Sequence, residues 1–460
     1  MRQKRLLIRN STPRTTHDTD MEITMKFTPR RHATSPTLVL AISATLALTL
    51  AGCSSPSGET ASGSGDTLTV WFPGNSQPEI DLVTDTLVPQ FEKENDVDVE
   101  VTFVDWGDLS PKLNAAFAAG TAPDVFGHGP AAAADFVAND RVLALDDDVA
   151  QLPQADQDDL ADSLVGGQVD GTQYLLPLSI TGQLVVYRAD LLEDAGVDPA
   201  TITTWDDARA AAEKLTVREG DKVTQAGLLL GSAAIQRSLN FNALIAGEGG
   251  SLMNADGSKV EFDSPEGEKA LQFFTDLYQG PDAVANGLGN DYLNSPPAQQ
   301  PLVTGDAAMT VLTSQAAAAI VAANPDLELG VLPALSFEEP AAFGGAGAGL
   351  FINADSKAAD LSWKFIEFMT SAQISTEYAE GTGTIPIRAS AVDSDYVKNS
   401  PILQAFLAEV PNYVPNPNVP KWTQIRDVLD TYLEQALNGV ATPAEALKSA
   451  AAEATSIIGG

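Results

Sequence analysis

Cysteine and histidine are the scarcest reactive side chains of this 460-residue chain, with one of the first and three of the second. Cys53 has no second thiol to pair with, which excludes an intramolecular disulfide and any multi-cysteine zinc or iron–sulfur site. His17 and His32 precede it, so His128 is the one imidazole of the remaining chain. A Ser-His-Asp triad would have to use His128, and no Gly-x-Ser-x-Gly elbow exists to present a nucleophile. A metal site built on several imidazoles is excluded on the same count. The run Gly344-Gly345-Ala346-Gly347-Ala348-Gly349 lacks the Lys-Ser/Thr of a phosphate loop, and glycines at a cleft or hinge account for it better. Asn254-Ala255-Asp256-Gly257-Ser258 reads as a hairpin turn, because its acid spacing does not complete a calcium loop. With 62 Asp and Glu in the chain, some pair will always stand at a glycosidase spacing, so the carboxylates alone do not argue for hydrolysis.

Charge sets the next boundary. The chain carries a net −36 with 44% hydrophobic residues, an ordinary globular balance with enough length for two large domains. Such a charge repels phosphates and argues against a nucleic-acid partner. Residues 1–52 depart from it: they hold eight Lys/Arg and three Asp/Glu, leaving 18 basic and 59 acidic residues, a net −41, in the rest. Arg30 and Arg31 precede an apolar stretch at residues 38–50, too short for the roughly 20 residues of a membrane-spanning helix. A basic flank, a short apolar run and small residues at its end form a secretory signal, which works from Met1, Met21 or Met25. Residues 54–65, rich in Ser and Gly, read as a flexible tether.

Beyond the tether, strand and helix patterns alternate. Thr67-Leu68-Thr69-Val70-Trp71 reads as a buried strand, residues 79–94 as a helix with Ile80, Val83, Leu87 and Phe91 on one face, and residues 97–104 as a second strand. A helix over 109–119 and a short strand at Asp124-Val125-Phe126 follow. Residues 204–279 read as mainly helical, entered through an N-cap at Thr204-Trp205-Asp206-Asp207. Residues 329–332 and 349–352 return to strand, and 423–457 end the chain in helices. The alternation predicts an α/β sandwich, in which ligands sit beyond the carboxyl ends of the strands, here the loops at 74–76 and 127–129. Trp71 and Phe72 extend the first strand and are expected in the core.

Several tags then occur in one order: Gly120-Thr121-Ala122-Pro123-Asp124-Val125-Phe126, Tyr174-Leu175-Leu176-Pro177, Val185-Val186-Tyr187-Arg188-Ala189-Asp190-Leu191-Leu192, Thr204-Trp205-Asp206-Asp207, Gly249-Gly250-Ser251-Leu252, Gly305-Asp306-Ala307-Ala308-Met309, and Trp363-Lys364-Phe365-Ile366. With Leu50-Ala51-Gly52-Cys53, which resembles a bacterial lipobox, the chain is similar to the extracellular solute-binding proteins of ABC importers, in the carbohydrate-binding group of maltose-binding protein. The resemblance covers nearly all of residues 66–460 and implies a two-lobed periplasmic-binding-protein-like fold, each lobe an α/β sandwich, with a hinge between them. Carried over, the first lobe is 66–180 plus 331–385 and the second 181–330 plus 386–460. The resemblance also implies a lipid anchor on Cys53 at the outer face of the cell membrane, a permease partner, a monomer, no cofactor and no catalysis.

The site residues come from the same comparison. Asn75 and Ser76 fall on the first-strand loop that touches ligand, and Gly127 and His128 on the second contact loop, beside Asp124. Thr181 stands where the relative has a carboxylate, and Trp422 where it has a stacking tryptophan. Gln315 lies near a second stacking position, Gly345 in the glycine run, and Trp106 after a strand at the cleft. Asp124 has a second reading as a brace for its loop, Trp106 as a cover for the following helix, and Trp422 as packing between helices. With no aromatic at Gly127, His128 or Gln315 to stack a long maltodextrin, a smaller or differently shaped sugar is expected. The alternatives are the same fold with a peptide, polyamine or other cation as cargo, or a secreted lipid-anchored glycoside hydrolase.

Overall fold

The computed structural model describes residues 67–254, 256–293 and 295–459; the leader, Cys53 and the tether lie outside the described residues. The first sheet has five strands in the order Asp98–Val104, Thr67–Pro73, Val125–His128, Gly349–Ile352 and Leu176–Pro177. Its first three strands run parallel and Gly349–Ile352 runs against them. Parallel neighbours need crossover helices, and the chain supplies them. Residues 77–95 form one helical run, with a π-helical turn at Val83–Leu87 between Gln77–Leu82 and Val88–Asn95. Val83, Leu87 and Phe91 of that run are buried as their spacing predicts, and Asp96 ends it in the left-handed region at φ 56°. Trp106–Ala119 is the next crossover helix, capped by the Asp105 carboxylate, which accepts from Gly107 N at 2.9 Å. Leu68, Val70, Phe72, Val125, Leu350 and Phe365 fill the core beneath this sheet, while Trp71 is only partly buried.

The second sheet orders Tyr413–Val414, Ala342–Ala346, Ile180–Arg188, Ala307–Thr313, Lys222–Leu229 and Val217–Glu219. Residues 204–279 are therefore less helical than their sequence suggests. Helices Trp205–Leu215, Gln236–Gly247 and Pro265–Tyr278 are present, but a hairpin turning at Gly220 (φ 63°) separates the first two. The buried half of its second strand, Ala226-Gly227-Leu228-Leu229, is small and uniformly apolar, so it shows no period-2 alternation. Thr204 and Asp207 form the expected helix entry as a reciprocal capping box, with bonds of 3.0 and 3.1 Å. The larger hydrophobic core lies here, around Leu184, Val186, Phe241, Phe274, Met309 and Leu433.

The two lobes are joined where the chain passes from one sheet to the other. Leu178 N donates to Ala348 O and Gly347 N to Ser179 O, both at 2.8 Å, while Ile180 N reaches Ile385 O at 2.9 Å. Three chain segments are thus bonded side by side as a hinge. Gly347 is required there, since a β-carbon would stand 2.5 Å from Ser179 Oγ. The cores divide the chain at points somewhat different from the expected boundaries. Leu332, Ala334, Leu335 and Ala342 belong to the larger core, whereas Ile387 belongs to the smaller one. A further contact runs through residues 415–421: Asn418 Oδ1 accepts from Ala134 N and its Nδ2 donates to Gln168 O, each at 3.0 Å.

Candidate ligand cleft

The carboxyl ends of the parallel strands deliver a cluster of polar and aromatic groups. Gly74 N donates to Val104 O at 2.7 Å, which draws the loops after the first two strands together. Asn75 Nδ2 then donates to Asp105 Oδ2 at 2.6 Å. Trp106 follows in the first turn of its helix and is 48% exposed, which leaves an indole face open beside these groups. Its ring stands edge-on to His128, with centroids 6.1 Å apart and planes at 87°. His128 Nε2 lies 3.1 Å from Ser110 Oγ and Nδ1 lies 3.3 Å from Gly129 O. Burial pushes the imidazole down to about 4, against the pull of the Gly129 carbonyl and with help from the Arg426 charge. The ring is therefore neutral at physiological pH. With Nδ1–H donating to Gly129, Nε2 accepts from the Ser110 hydroxyl.

Glu79 completes this mouth, and sequence reading took it only as the start of a helix. Its Oε1 accepts from Tyr378 OH at 2.5 Å, and burial raises its pKa. A β-carbon on Gly74 would stand 3.9 Å from Glu79 Oε2 and 3.4 Å from Trp106 Nε1. Gly74, at φ 108°, keeps that gap open. An acid in the first helical turn after the first strand was the available signal.

The second lobe faces this cluster through its own strand ends. Ile180–Arg188 starts at the hinge and runs antiparallel to Ala307–Thr313, which is parallel to Lys222–Leu229. The carboxyl ends of the last two strands therefore open on the hinge side, bringing residues 230–236 and 313–315 to the cleft. Gln183 and Gln236 meet there at 3.5 Å, and Gln183 Oε1 is buried without a hydrogen-bond partner.

The expected site residues divide accordingly. Asn75, Ser76, Trp106 and His128 gather at the first-lobe mouth. Asp124 turns inward: its carboxylate accepts from Thr69 N (3.0 Å), Thr69 Oγ1 (2.7 Å) and Ser356 Oγ (2.7 Å), so it braces the sheet. Gly127 is buried with its α-carbon against Pro73, where a β-carbon would meet the ring at 2.4 Å. Thr181 and Gly345 are paired across adjacent strands at the hinge, and Gln315 lies beside Gly383 at the third crossing. Trp422 is 1% exposed and belongs to the larger core, which favours its second reading, packing between helices, over a stacking surface. One turn later on the same helix, Arg426 is the residue whose charge reaches His128. Among the described residues no group of three metal-binding side chains occurs, and no helix is long and apolar enough to cross a membrane.

Two sheets on a three-segment hinge with polar loops facing one another define a two-lobed binding protein. Residues 76–375 match the bacterial extracellular solute-binding protein family, and the chain belongs to it. The diacetylchitobiose binding protein of Streptomyces coelicolor is 25% identical over 399 residues, covering 85% of this chain and 89% of that protein. An ABC transporter solute binding protein from Thermotoga lettingae, solved with alpha-D-tagatose, superposes with a TM-score of 0.74 at 26% identity, over 85% of this chain and 99% of its own. One from Agrobacterium radiobacter, in complex with ribitol, gives 0.72 at 26% identity, over 85% and 98%.

Proposed function

We propose that this chain is the substrate-binding component of an ABC sugar importer, capturing a mono- or oligosaccharide between its lobes and delivering it to a permease. The observation that carries the reading is the half-exposed Trp106 beside the neutral His128 and the Asn75 amide. An indole face suits the C–H surface of a sugar ring, and uncharged donors and acceptors suit its hydroxyls. An unpaired buried hydroxyl partner costs about 1–3 kcal/mol, so these polar groups set specificity. The sugar and polyol ligands of the relatives support the same class.

In this reading the first lobe supplies Asn75, Ser76, Trp106 and His128, with Glu79 behind them, and Arg426 approaches from the second. Thr181, Gln315 and Gly345 act at the hinge. Ligand touches both lobes only when they shut, so binding shifts the population toward the closed form. The leader is removed, the Cys53 thiol is lipidated, and the protein is held as a monomer at the outer face of the membrane; firm anchoring takes more than one acyl chain. No reaction is assigned to the cleft.

A thermal-shift screen of the purified protein against sugars, polyols, amino acids, polyamines and metal ions tests this. A ligand at a hundred times its Kd adds about 2.7 kcal/mol, enough to raise Tm visibly. A shift with one sugar family and no product formed is the expected result. Shifts with amines or cations alone would overturn the ligand class.

A further inference from the structure

We propose that residues 415–421 are a latch that holds the two lobes together in the absence of ligand. The inference goes beyond the sugar reading and does not depend on what the cleft binds. At the hinge the lobes are joined by the chain itself in three places. Residues 415–421 join them a fourth time, by hydrogen bonds alone.

The segment is fixed to the second lobe at both ends. Asn242 Nδ2, on helix Gln236–Gly247, donates to Pro415 O at 3.0 Å. Val419 packs against the larger core and fills the space beside Gly257, where a β-carbon would stand 2.4 Å from Val419 Cγ1. Lys421 Nζ donates to Ile457 O at 2.9 Å, and Trp422 follows it into that core. Pro415, Pro417 and Pro420 remove much of the remaining freedom, because each ring fixes its own φ. The segment is thus a stiff bracket of the second lobe.

What it presents to the first lobe is polar and matched on both sides. Both ends of the Asn418 amide are spent on first-lobe backbone, Oδ1 on Ala134 N and Nδ2 on Gln168 O, each at 3.0 Å. In return, the Asp135 carboxylate accepts from Lys421 N at 2.6 Å. Lys421 precedes helix Trp422–Leu437, which has no side-chain cap of its own. An acid from the opposite lobe therefore stands at its positive end. The same bond helps to hold Lys421 in the left-handed region, at φ 65°, where a residue with a β-carbon is uncommon.

The tie lies on the cleft side of the hinge. Residues 129–135 directly follow Val125–His128, whose carboxyl end forms the mouth, and the Arg426 charge on the facing helix reaches His128. A rotation that parts the two mouths therefore parts Asn418 from Ala134 as well. Contacts made only when the lobes are shut favour the shut form with or without cargo. They set the resting ratio of shut to open that a ligand then shifts.

Small-angle X-ray scattering on the ligand-free protein, unfolded and refolded beforehand to remove any carried solute, tests this. Asn418→Ala and Asp135→Ala each delete one side of the tie, and both side chains are only partly buried, so the lobes should stay folded. Loss of a bond of capping strength corresponds to a fall of about five-fold in the shut-to-open ratio. It is read as a larger radius of gyration than wild type. Hydrogen exchange gives a second readout: the Lys421 amide should exchange faster in Asn418→Ala, although its own acceptor, Asp135, is untouched. Superimposable scattering curves for wild type and both variants, with exchange at Lys421 unchanged in Asn418→Ala, would make the contact fixed packing and overturn the latch. Either variant carries the test if the other fails to fold. No ligand is added, so either result leaves the sugar reading as it stood.

Discussion

Tyr378 and Glu79, 299 residues apart in sequence, share a hydrogen bond of 2.5 Å in which the phenol donates and the carboxylate accepts. Glu79 stands at the mouth of the cleft. Tyr378 belongs to the helix Ala372–Thr382, which ends at Gly383 where the third hinge segment begins. The pair therefore fixes the ligand-facing loop of the first lobe to the element that leads into the hinge. Burial raises the pKa of both groups, and the Glu79 charge raises that of Tyr378 further.

This predicts an acid-dependent gain from neutralising Glu79. A carboxyl whose folded pKa is raised favours the folded state below its unfolded pKa and loses that contribution as pH rises through the folded value. Glu79→Gln keeps an acceptor for Tyr378 and removes the charge. It should raise Tm at pH 7.5, with the difference from wild type shrinking toward pH 4. It should also weaken sugar binding several-fold if the carboxylate accepts a ligand hydroxyl. A variant less stable than wild type at pH 7.5 would show that the carboxylate is not held at a cost.

His128 runs the opposite way in pH. Its folded value of about 4 lies below the ordinary 6.5, so between these values the unfolded chain binds the extra proton. Stability is fully present above pH 6.5 and falls as pH drops toward 4, by roughly 2–3 kcal/mol for a partly exposed ring. Carboxylates titrate near the lower end of this window, so the informative quantity is the difference between wild type and His128→Gln. Urea melts at pH 7 and pH 5 should show a steeper loss in wild type. Parallel losses in the two proteins would mean that the imidazole titrates normally.

The sequence pattern carried the outer frame well and the site unevenly. Buried spacing placed the helical run through Val83, Leu87 and Phe91, and alternation placed a strand over 97–104, found at Asp98–Val104, because local periodicity determines both. The resemblance placed Asn75 and His128 at strand ends, where loop position alone brings them to the cleft. It left Trp422 between cleft and inter-helix packing, because whether an indole faces a cleft or a core depends on helix rotation, set by contacts with residues far away in the chain; its 1% exposure favours packing. Glu79 reads in sequence only as an acid in a first helical turn; its partner comes from a helix nearly 300 residues later, so the pairing is not legible locally. Asp124 has two readings in sequence, ligand group or brace, and the positions of Thr69 and Ser356 favour the brace.

The two tryptophans should separate cleanly in experiment. Trp106→Ala removes an indole that is 48% exposed, so it should lower sugar affinity at least ten-fold while costing little stability. Trp422→Ala empties a site that is 1% exposed and should cost about 3–5 kcal/mol, with binding changed mainly through loss of folded protein. Calorimetry and urea titration on both variants give the four numbers needed. A stable Trp422→Ala protein that fails to bind would return that indole to the cleft.

Ile235 offers the last test, because its backbone is in the wrong region for its side chain. It lies at φ 68° and ψ −51°, a conformation that a β-branched residue adopts only under constraint. The constraint is visible: Arg237 donates to Ser232 O, Asp430 O, Asp430 Oδ2 and Glu434 Oε2 at 2.7–3.1 Å, and Ser238 Oγ donates to Ile235 O at 2.7 Å. These bonds hold the loop that follows Lys222–Leu229 at the cleft. Ile235→Gly relieves strain of about 1–3 kcal/mol, against roughly 1 kcal/mol of added freedom in the unfolded chain. A net gain of about 1 kcal/mol in urea melts is expected, with sugar affinity reduced several-fold as the loop loosens. Arg237→Ala should do the reverse for stability, costing about 3–5 kcal/mol by leaving Asp430 buried without its counter-charge. Should Ile235→Gly destabilise the protein, the left-handed backbone at Ile235 is not strained, and the Arg237 network serves core packing rather than the cleft.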